Sequence, residues 1–394
     1  MSGQCSIGRT IKSGELLIDA DKLVDKDNSI ETNKSIETNK LMEKGKLMEK
    51  GKDFKKCLVI GGAGMLGFEI AKQLYEDGKE VSILDLVPFN DNQFKGHIGD
   101  IRNREDIKKA CTGADGVAHI DVVFQTAAAV WDTKTPPETY DSVNVQGNIN
   151  VIDVCRGLGI KKLVYSSTID VVVDGRKPIV YGDEALPYPE KLPKDHYCRT
   201  KIIAEQIVTK ANSPELLTCS LRPAGMYGPR DKYHLTNIIK AAMSRSNFRL
   251  GDGSAKFSHV YSENAAHAHV LAAKNLYEGS PVAGNIYFIT DHQPAENLFD
   301  FIKPFLEGLG LKAPTKSIPY NVAYPLSWLN EKINPRSVFN TFAIIQTCID
   351  HTYIHDKATK DFGYAPIVSK EEAFRRTLEW FKQNWDRLFV SRLQ

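Results

Sequence analysis

Residues 59–67 read VIGGAGMLG, an apolar run that ends in glycines and passes directly into apolar residues at helical spacing. The three glycines Gly61, Gly64 and Gly67 suit a tight turn, a close approach of the backbone to a pyrophosphate, and close packing of a helix on a strand. The helix that follows would offer its N-terminal N–H groups to phosphates. An ordinary glycine-rich turn would also explain the loop taken alone, so its context matters.

Apolar runs and helical segments alternate from residue 55 to residue 223. This alternation predicts an α/β fold, a Rossmann-type doubly wound parallel sheet covered on both faces. Beyond residue 228 the pattern loosens and becomes richer in proline and aromatic residues, which predicts a smaller C-terminal substrate-binding lobe. We therefore expect a dinucleotide-binding domain over residues 53–227, with return segments around 258–290. Residues 228–394 would form the lobe and the C-terminal helices.

Residues 1–52 differ from the rest, because SIETNK and then LMEKGK each occur twice in tandem. Such repeats bury too little apolar surface to offset their ordering entropy, so we predict a disordered tail. The formal net charge of +2, with both signs mixed along the chain, is not typical of a nucleic-acid-binding protein. Seven scattered cysteines without a CxxC motif indicate reduced thiols in a cytoplasmic protein and no metal site.

Asp85 stands at the end of the second apolar run, eighteen residues after Gly67. A carboxylate there accepts the ribose hydroxyls of an adenosine and repels a 2′-phosphate. The sequence therefore predicts NAD rather than NADP as the cofactor.

Tyr197 and Lys201 lie one helical turn apart in DHYCRTKIIAEQ. A tyrosine, with an ordinary pKa of about 10, acts as an acid or base near neutral pH only beside stabilising positive charge, which Lys201 would supply. A strand that ends in YSST offers Thr168 or Ser167 as a third donor to a substrate oxygen. Coincidental YxxxK pairs are common, but this pair follows a glycine loop, an acidic strand end and a hydroxyl-rich strand end.

Residues 55 to about 290 resemble the extended short-chain dehydrogenase/reductases, most of all their 3β-hydroxysteroid dehydrogenase branch, including sterol 4-carboxylate 3-dehydrogenases. The matching stretches are VIGGAGMLG, ILDL, GDIRN, VFQTAAAV, NVQGNINV, LVYSST, YCRTKIIAE and LRPAGMYGPRD. The resemblance implies that Tyr197 is the catalytic acid or base, Lys201 its partner and Thr168 the third hydroxyl, with Ser167 as its substitute. The residues that it assigns to the dinucleotide are Gly61, Gly64, Met65, Leu66, Gly67, Asp85, Asp100, Ile101, Ala127, Ala128, Lys201 and Pro223.

The resemblance also implies the reaction, which is NAD-dependent oxidation of a 3β-hydroxyl on a steroid or sterol-like substrate. Decarboxylation or double-bond isomerisation would be a further step. A homodimer and peripheral contact with the endoplasmic reticulum membrane are further expectations. The longest largely apolar run, near residues 338–349, is too short and too polar to cross a bilayer.

Two other functions remain open from the sequence. A sugar-nucleotide epimerase or another extended reductase could hold a diphosphate with the cations Arg230, Lys232, Arg245 and Arg249. The Thr-Asp-Glu of the related dehydratases is absent after Thr168. A nucleotide-sensing protein on the same fold would have no need of the Tyr197 and Lys201 pair.

Several other residues allow two interpretations. Gln125 stands where many relatives have histidine, and no role is assigned to it. His267 and His269 point to different faces of a helix and are expected to be structural. The aromatic residues Trp380, Phe381 and Trp385 are expected to pack, Cys198 to be a passive neighbour, and Arg222 either to support the cofactor or to form a structural ion pair.

Overall fold

The computed structural model describes residues 54–390 except 90–92, 114, 133–134, 176, 194, 244–247, 292–293, 335–336 and 338. The predicted disordered tail, residues 1–52, lies outside the described residues. In the described part, seven parallel strands form the central sheet in the order β3-β2-β1-β4-β5-β7-β12. The Rossmann-type parallel sheet that the sequence predicts is confirmed.

The first eight strands are β1 Lys56–Ile60, β2 Glu80–Asp85, β3 Lys95–Ile98, β4 Val122–Gln125, β5 Lys162–Ser166, β6 Ile179–Gly182, β7 Leu217–Pro223 and β8 Gly225–Tyr227. The remaining strands are β9 Arg249–Leu250, β10 Lys256–Phe257, β11 His259–Tyr261, β12 Ile286–Ile289, β13 Glu296–Asn297, β14 Ser317–Ile318 and β15 His351–Tyr353.

The first six α-helices are α1 Met65–Glu76, α2 Arg104–Cys111, α3 Pro137–Tyr140, α4 Gly147–Gly157, α5 His196–Lys210 and α6 His234–Met243. The others are α7 Ser262–Asn275, α8 Leu298–Gly308, α9 Tyr320–Ile333, α10 Thr341–Cys348, α11 Asp356–Phe362 and α12 Lys370–Gln383. Wider π-helical turns occur at Asp141–Gln146 and Asp386–Val390, and a 3₁₀-helix at Ile169–Val172. Within the ranges that the structure covers, no helix has the length and hydropathy needed to cross a bilayer.

The central sheet is covered on both faces, which explains why its strands are nearly continuous apolar runs. On one face α1 and α7 pack with buried residues that include Ile70, Leu74 and Ala268. On the other face α2, α4 and α5 contribute Ile107 and Val151, among others. Because the seven strands are parallel, their carboxyl ends all lie at one edge, where ligands of such sheets bind.

The C-terminal part has its own apolar core, in which aromatic side chains of α8 and α12 surround Tyr227. A second sheet, of order β13-β10-β15-β6, joins three strands of this part to β6 at Ile179–Gly182. The edge strand β12 and helix α7 come from residues 262–289 and belong to the central layers. The division at residues 227 and 228 into a cofactor domain and a substrate lobe stays a prediction.

One helix differs from the sequence-based expectation, which gave a single α-helix from Tyr140 to Leu158. The structure begins it earlier, at Pro137, and widens it into a π-helical segment at Asp141–Gln146. This segment holds Asn144, whose amide accepts the Ala129 N–H at 2.8 Å and donates to the Ala129 carbonyl at 3.0 Å. The widened turn therefore presents a side chain to the loop after β4.

Candidate active site

The glycine loop between β1 and α1 is built on close backbone contacts. Gly61 has φ +82°, and a Cβ atom there would lie 2.7 Å from the Ala127 nitrogen. A Cβ atom at Gly67 would lie 2.8 Å from the Gly62 Cα, so α1 packs directly on the loop. Gly64 caps α1 without a side-chain hydrogen bond. The first-turn N–H groups, which include those of Met65 and Leu66, lack intrahelical partners and suit an anion.

The acidic end of β2 lies beside this loop. Asp85 accepts the Ala63 N–H at 3.0 Å and the Val87 N–H at 3.2 Å, one on each carboxylate oxygen. Each oxygen retains a lone pair for a ribose hydroxyl. The Gly99 N–H donates to the Asp85 carbonyl at 2.9 Å and brings the segment of Asp100 to the same place.

Asp100 and Ile101 have different surroundings. The Asp100 carboxylate accepts the Arg102 main-chain N–H at 2.9 Å and its Nε at 2.8 Å. Ile101 is buried against Gly147 of α4. Both residues therefore lie at the end of β3 next to Asp85, with Asp100 more accessible than Ile101.

The loop after β4 forms the opposite wall. Gln125 is fully buried, and its amide donates to the Ala127 carbonyl at 3.1 Å and to Asn148 at 3.2 Å. Its oxygen accepts the Ala127 N–H at 3.2 Å. Gln125 thus shapes the turn of Ala127 and Ala128, next to Gly61, and is a structural residue.

Strand β5 ends at Ser166, and the next two hydroxyl residues have different partners. Ser167 donates its N–H to the Leu221 carbonyl at 2.6 Å, and its buried Oγ has no hydrogen-bond partner among the described residues. The Thr168 Oγ1 accepts the Asp170 N–H at 3.2 Å and caps the 3₁₀-helix. The Thr168 hydroxyl also lies close enough to the Tyr197 phenol to lower its pKa. Thr168, rather than Ser167, is therefore the hydroxyl that meets Tyr197.

Tyr197 lies in the first turn of α5, where the Asp195 carboxylate caps the helix by accepting the Cys198 N–H at 2.8 Å. Burial raises the pKa of the Tyr197 phenol well above its ordinary value, and the charge of Asp170 raises it further. The nearby Thr168 hydroxyl acts in the opposite direction. In the free protein Tyr197 is therefore a neutral phenol.

Lys201 follows one turn later and is 2% exposed. Its Nζ donates to the Ser166 carbonyl at 2.7 Å and lies 4.4 Å from the centre of the Tyr165 ring. Burial lowers the pKa of Lys201 to about 7, although the negative charges of Glu205 and Asp170 act in the opposite direction. The ammonium is thus held at the end of β5, at the strand residue two positions before Thr168.

Arg222, which the sequence left open between two roles, forms a buried ion pair. Its Nε lies 3.0 Å and its Nη2 2.7 Å from the Glu205 carboxylate, which also accepts the Tyr188 hydroxyl at 2.7 Å. Glu205 lies one turn after Lys201 on α5, and Arg222 precedes Pro223 at the end of β7. The pair therefore fixes α5 to the strand end where Pro223 lies.

Three residues near this site were not found from the sequence. Asp170 contacts Thr168, and Gln346 of α10 donates to Asp170 at 2.7 Å. Asn144 donates to the Thr200 hydroxyl at 3.1 Å and ties the loop after β4 to α5. The one sequence signal for these residues was Asp170, an acid inside the apolar stretch IDVVV. Gln346 lies 176 residues further along the chain, so no local pattern connects the two.

The family model for the 3-beta hydroxysteroid dehydrogenase/isomerase family matches residues 58–320, more than half of the 394 residues. The chain belongs to this family. Its resemblance to the extended short-chain dehydrogenase/reductases is thereby confirmed, and the glycine loop, Thr168, Tyr197 and Lys201 all lie inside the matched region.

Curated relatives agree with this assignment. A mouse protein named sterol-4-alpha-carboxylate 3-dehydrogenase, decarboxylating is 35% identical over 83% of this chain and 91% of its own length. A 3-beta-hydroxysteroid dehydrogenase of Mycolicibacterium neoaurum is 29% identical over 87% of this chain and 95% of its own. The human short-chain dehydrogenase/reductase family 42E member 1 is 34% identical over 82% and 86%.

Solved structures share the fold at lower identity. The UDP-glucose 4-epimerase of Thermus thermophilus, in complex with NAD, superposes with a TM-score of 0.63 at 22% identity, over 83% of this chain and 99% of that one. A dTDP-glucose 4,6-dehydratase of Streptomyces venezuelae, with NAD bound, gives 0.64 at 19% identity, over 84% and 99%. These likenesses support the Rossmann-type fold of this 3-beta hydroxysteroid dehydrogenase family member.

A cavity of about 820 Å³ adjoins the glycine loop of this protein at Ala63. Trp131, residues of α6 and Trp380 of α12 also line it. Its cations are Arg230, Lys232, Lys240 and Arg387. Of the four basic residues predicted to suit a diphosphate, Arg230 and Lys232 line this cavity, Arg249 lies near Phe299, and Arg245 lies outside the described residues.

The other residues that the sequence singled out have structural surroundings. His269 is buried, and its Nδ1 lies 2.7 Å from the Ala265 carbonyl oxygen. No group of three or more His, Cys, Asp or Glu residues with metal-site geometry occurs in the part of the chain that the structure describes. Phe381 is buried, Trp385 packs on Phe389, and Cys198 is a buried thiol.

Proposed function

We propose that this protein oxidises a 3β-hydroxyl of a steroid or sterol-like substrate to the ketone, with NAD as the cofactor. The observation that carries this proposal is the contact of Tyr197 with Thr168 at the carboxyl edge of a parallel sheet, beside a buried Lys201. These three groups hold or move a proton at one substrate oxygen. A nucleotide-sensing protein would have no use for them.

The residues of the cleft fit NAD. The backbone contacts of Gly61 and Gly67 keep the loop free of side chains, and the first turn of α1 offers N–H groups to a pyrophosphate. Asp85 retains acceptor capacity for two ribose hydroxyls and repels a 2′-phosphate. When bound, NAD accepts a hydride.

The protein's own residues move the proton. Tyr197 receives the proton of the substrate hydroxyl as the alcohol becomes a ketone. The ammonium of Lys201 favours the phenolate form that this step needs, and it has a second role as a donor to the nicotinamide ribose. The Thr168 hydroxyl donates to the substrate oxygen, where negative charge develops.

The name of the mouse relative, sterol-4-alpha-carboxylate 3-dehydrogenase, decarboxylating, supports a sterol with a carboxyl group at C4. Oxidation at C3 of such a substrate gives a β-keto acid, which loses carbon dioxide readily. Under this proposal the protein catalyses the oxidation, and the loss of carbon dioxide follows from the reactivity of the β-keto acid. A double-bond isomerisation has no assignable residue in this chain.

We propose that the protein binds a lipid surface through α9. The exposed side chains of this helix include Leu326, Trp328, Leu329 and Ile333, the last 79% exposed. The Lys332 ammonium lies 5.5 Å from the Trp328 ring, an arrangement suited to a membrane interface. Glu331 of α9 accepts the Thr341 N–H of α10 at 2.8 Å, and α10 in turn reaches Asp170 through Gln346. These contacts connect α9 with the surroundings of Thr168.

Location at the endoplasmic reticulum membrane and a homodimer that uses α5 belong to the same proposal. Sedimentation of the purified protein measures the dimer directly. A monomer at micromolar concentration would refute the proposed dimer and would not contradict the proposed reaction.

The decisive experiment offers the purified protein NAD with a panel of 3β-hydroxysteroids, 4-carboxysterols and UDP-sugars and follows NADH absorbance. Turnover of a steroid or sterol is expected, with carbon dioxide released from a 4-carboxysterol. The cations of the 820 Å³ cavity favour the second candidate, a sugar-nucleotide enzyme. Conversion of a UDP-sugar with no reaction of any sterol would establish that candidate instead.

A further inference from the structure

Asp170 is an acid placed directly behind Thr168. Its carboxylate oxygen Oδ2 lies 3.0 Å from the Thr168 hydroxyl, and Oδ1 accepts the Gln346 amide at 2.7 Å. Asp170 is partly buried, and no ion pair involves it within the described ranges. Its carboxyl therefore meets one amide donor and one hydroxyl.

The hydrogen bonds of Thr168 make the protonation of Asp170 important. A hydroxyl has one proton and two acceptor positions, and one of these positions already accepts the Asp170 N–H at 3.2 Å. If Asp170 is ionised, Thr168 must give its proton to the carboxylate and turns a lone pair toward the substrate. If Asp170 is neutral, its carboxyl donates to Thr168, and the Thr168 proton is left for the Tyr197 phenol in the free protein and for the substrate oxygen in the complex.

We propose that Asp170 is a positioning residue that acts as a neutral carboxyl, donating to the Thr168 oxygen so that the Thr168 proton faces the substrate oxygen. This inference rests on the proposed function of Thr168. The hydrogen bonds agree with it, because Oδ1 then serves as the carbonyl oxygen that accepts from Gln346, and Oδ2 carries the proton.

The surroundings favour the neutral form. Burial raises the pKa of Asp170, and Asp195 raises it further, whereas the bonds from Thr168 and Gln346 and the charge of Lys201 lower it. The other titratable groups that sense Asp170 are Tyr197 and Cys198 of α5 and Tyr353 of β15. A neutral Asp170 also lacks the negative charge that would raise the pKa of Tyr197. After turnover, Tyr197 therefore releases the proton that it received from the substrate more easily.

The matched pair Asp170→Ala and Asp170→Asn tests the proposal. Asparagine cannot ionise, and it reproduces both bonds, since its amide donates to Thr168 while its oxygen accepts from Gln346. Asp170→Ala should lower kcat/KM roughly 10²-fold, the effect of losing one oxyanion donor, and Asp170→Asn should restore most of it. Asp183→Asn, in an exposed loop, is the control.

The pH profile separates this role from a purely structural one. In the wild type, ionisation of Asp170 as the pH rises should reverse the Thr168 hydroxyl and lower kcat/KM. Asp170→Asn should lack that component, while the contribution from Lys201 persists in both proteins. An Asp170→Asn variant that is folded and as inactive as Asp170→Ala would overturn the proposal.

Infrared difference spectra between the wild type and Asp170→Asn provide a readout that needs no substrate. The wild type loaded with NAD should show the carbonyl stretch of a protonated carboxyl that is missing in the variant. Carboxylate bands alone would refute the neutral form whatever the activity. If the wild type oxidises no sterol, the proposed function fails, and the infrared band alone then decides the state of Asp170.

Discussion

The Lys201 ammonium donates to the Ser166 carbonyl at 2.7 Å, which ties the helix of Tyr197 directly to the strand end that leads to Thr168. The same bond holds a cation in a buried position, where it lies against the Tyr165 ring. The buried charge that the proposed reaction needs has a cost in stability, because a buried ammonium loses its hydration.

Lys201→Met should stabilise the cofactor-free protein and abolish turnover. The pKa falls from 10.5 in the unfolded chain to about 7 in the folded one. Below pH 7 the lysine is charged in both states, and the folded state bears the full cost of burial. Between pH 7 and 10.5 the folded state loses the proton first, so wild-type stability rises with pH.

The gain in unfolding free energy should therefore be largest near pH 6, about 2–3 kcal/mol after subtraction of the lost Ser166 hydrogen bond, and smaller at about pH 9. Urea unfolding at both pH values measures it. The control is Lys210→Met, at the exposed end of the same helix. A variant less stable than wild type at the lower pH would show that the buried ammonium is not destabilising.

Tyr197→Phe should reduce kcat by about 10³-fold, in the range for removal of a general acid–base group. NAD binding, measured by protein fluorescence, should change little, because the proposed role of the phenol is toward the substrate and not toward the cofactor. The exposed Tyr181→Phe is the matched control. Retention of more than a tenth of the wild-type rate would exclude Tyr197 as the proton acceptor.

Arg222→Met should lower the free energy of unfolding by about 3–5 kcal/mol, because it leaves Glu205 buried without its cation. The double variant Arg222→Met with Glu205→Leu should be more stable than Arg222→Met alone, since both charges are then absent. Urea unfolding of the wild type, both single variants and the double variant forms a double-mutant cycle. If the double variant were the least stable, packing rather than charge would explain the contribution of Arg222.

Gly67→Ala should impair NAD binding at least tenfold, because the added Cβ would lie 2.8 Å from backbone atoms of Gly61 and Gly62, which must then move. Gly157→Ala is the control, since nothing lies within 4 Å of a Cβ atom there. Isothermal titration with NAD compares the two variants. Equal affinities would mean that the loop does not form the pyrophosphate site.

Replacement of Leu326, Leu329 and Ile333 of α9 by serine should reduce binding to phosphatidylcholine vesicles by at least about tenfold, since each buried apolar side chain contributes about 1.5–3 kcal/mol. Val117→Ser with Val180→Ser, at exposed apolar positions elsewhere, is the control. Vesicle flotation gives the bound fraction. Wild-type protein that stays unbound to vesicles would refute the lipid contact of α9.

The local parts of the fold and site were predictable. Strand, glycine loop and helix are contiguous around Gly64, and Tyr197 and Lys201 are four residues apart. Asp170 and Gln346 were missed because their contact joins segments 176 residues apart, and no local pattern encodes it. The role of Arg222 stayed open for the same reason, since its partner Glu205 lies on a different element.

Strand β7 pairs with β5 on one side and with β12 on the other. Strand β7 ends at Pro223 and β12 begins at Ile286. The ribosome must therefore synthesise residues 224–285 before β12 exists to pair with the outer edge of β7. During that interval the nascent chain presents unpaired N–H and C=O groups on a strand that is buried in the finished protein. Such edges pair readily with other chains. Translation between these two points is therefore a stage at which we expect the edge of β7 to be open to mispairing.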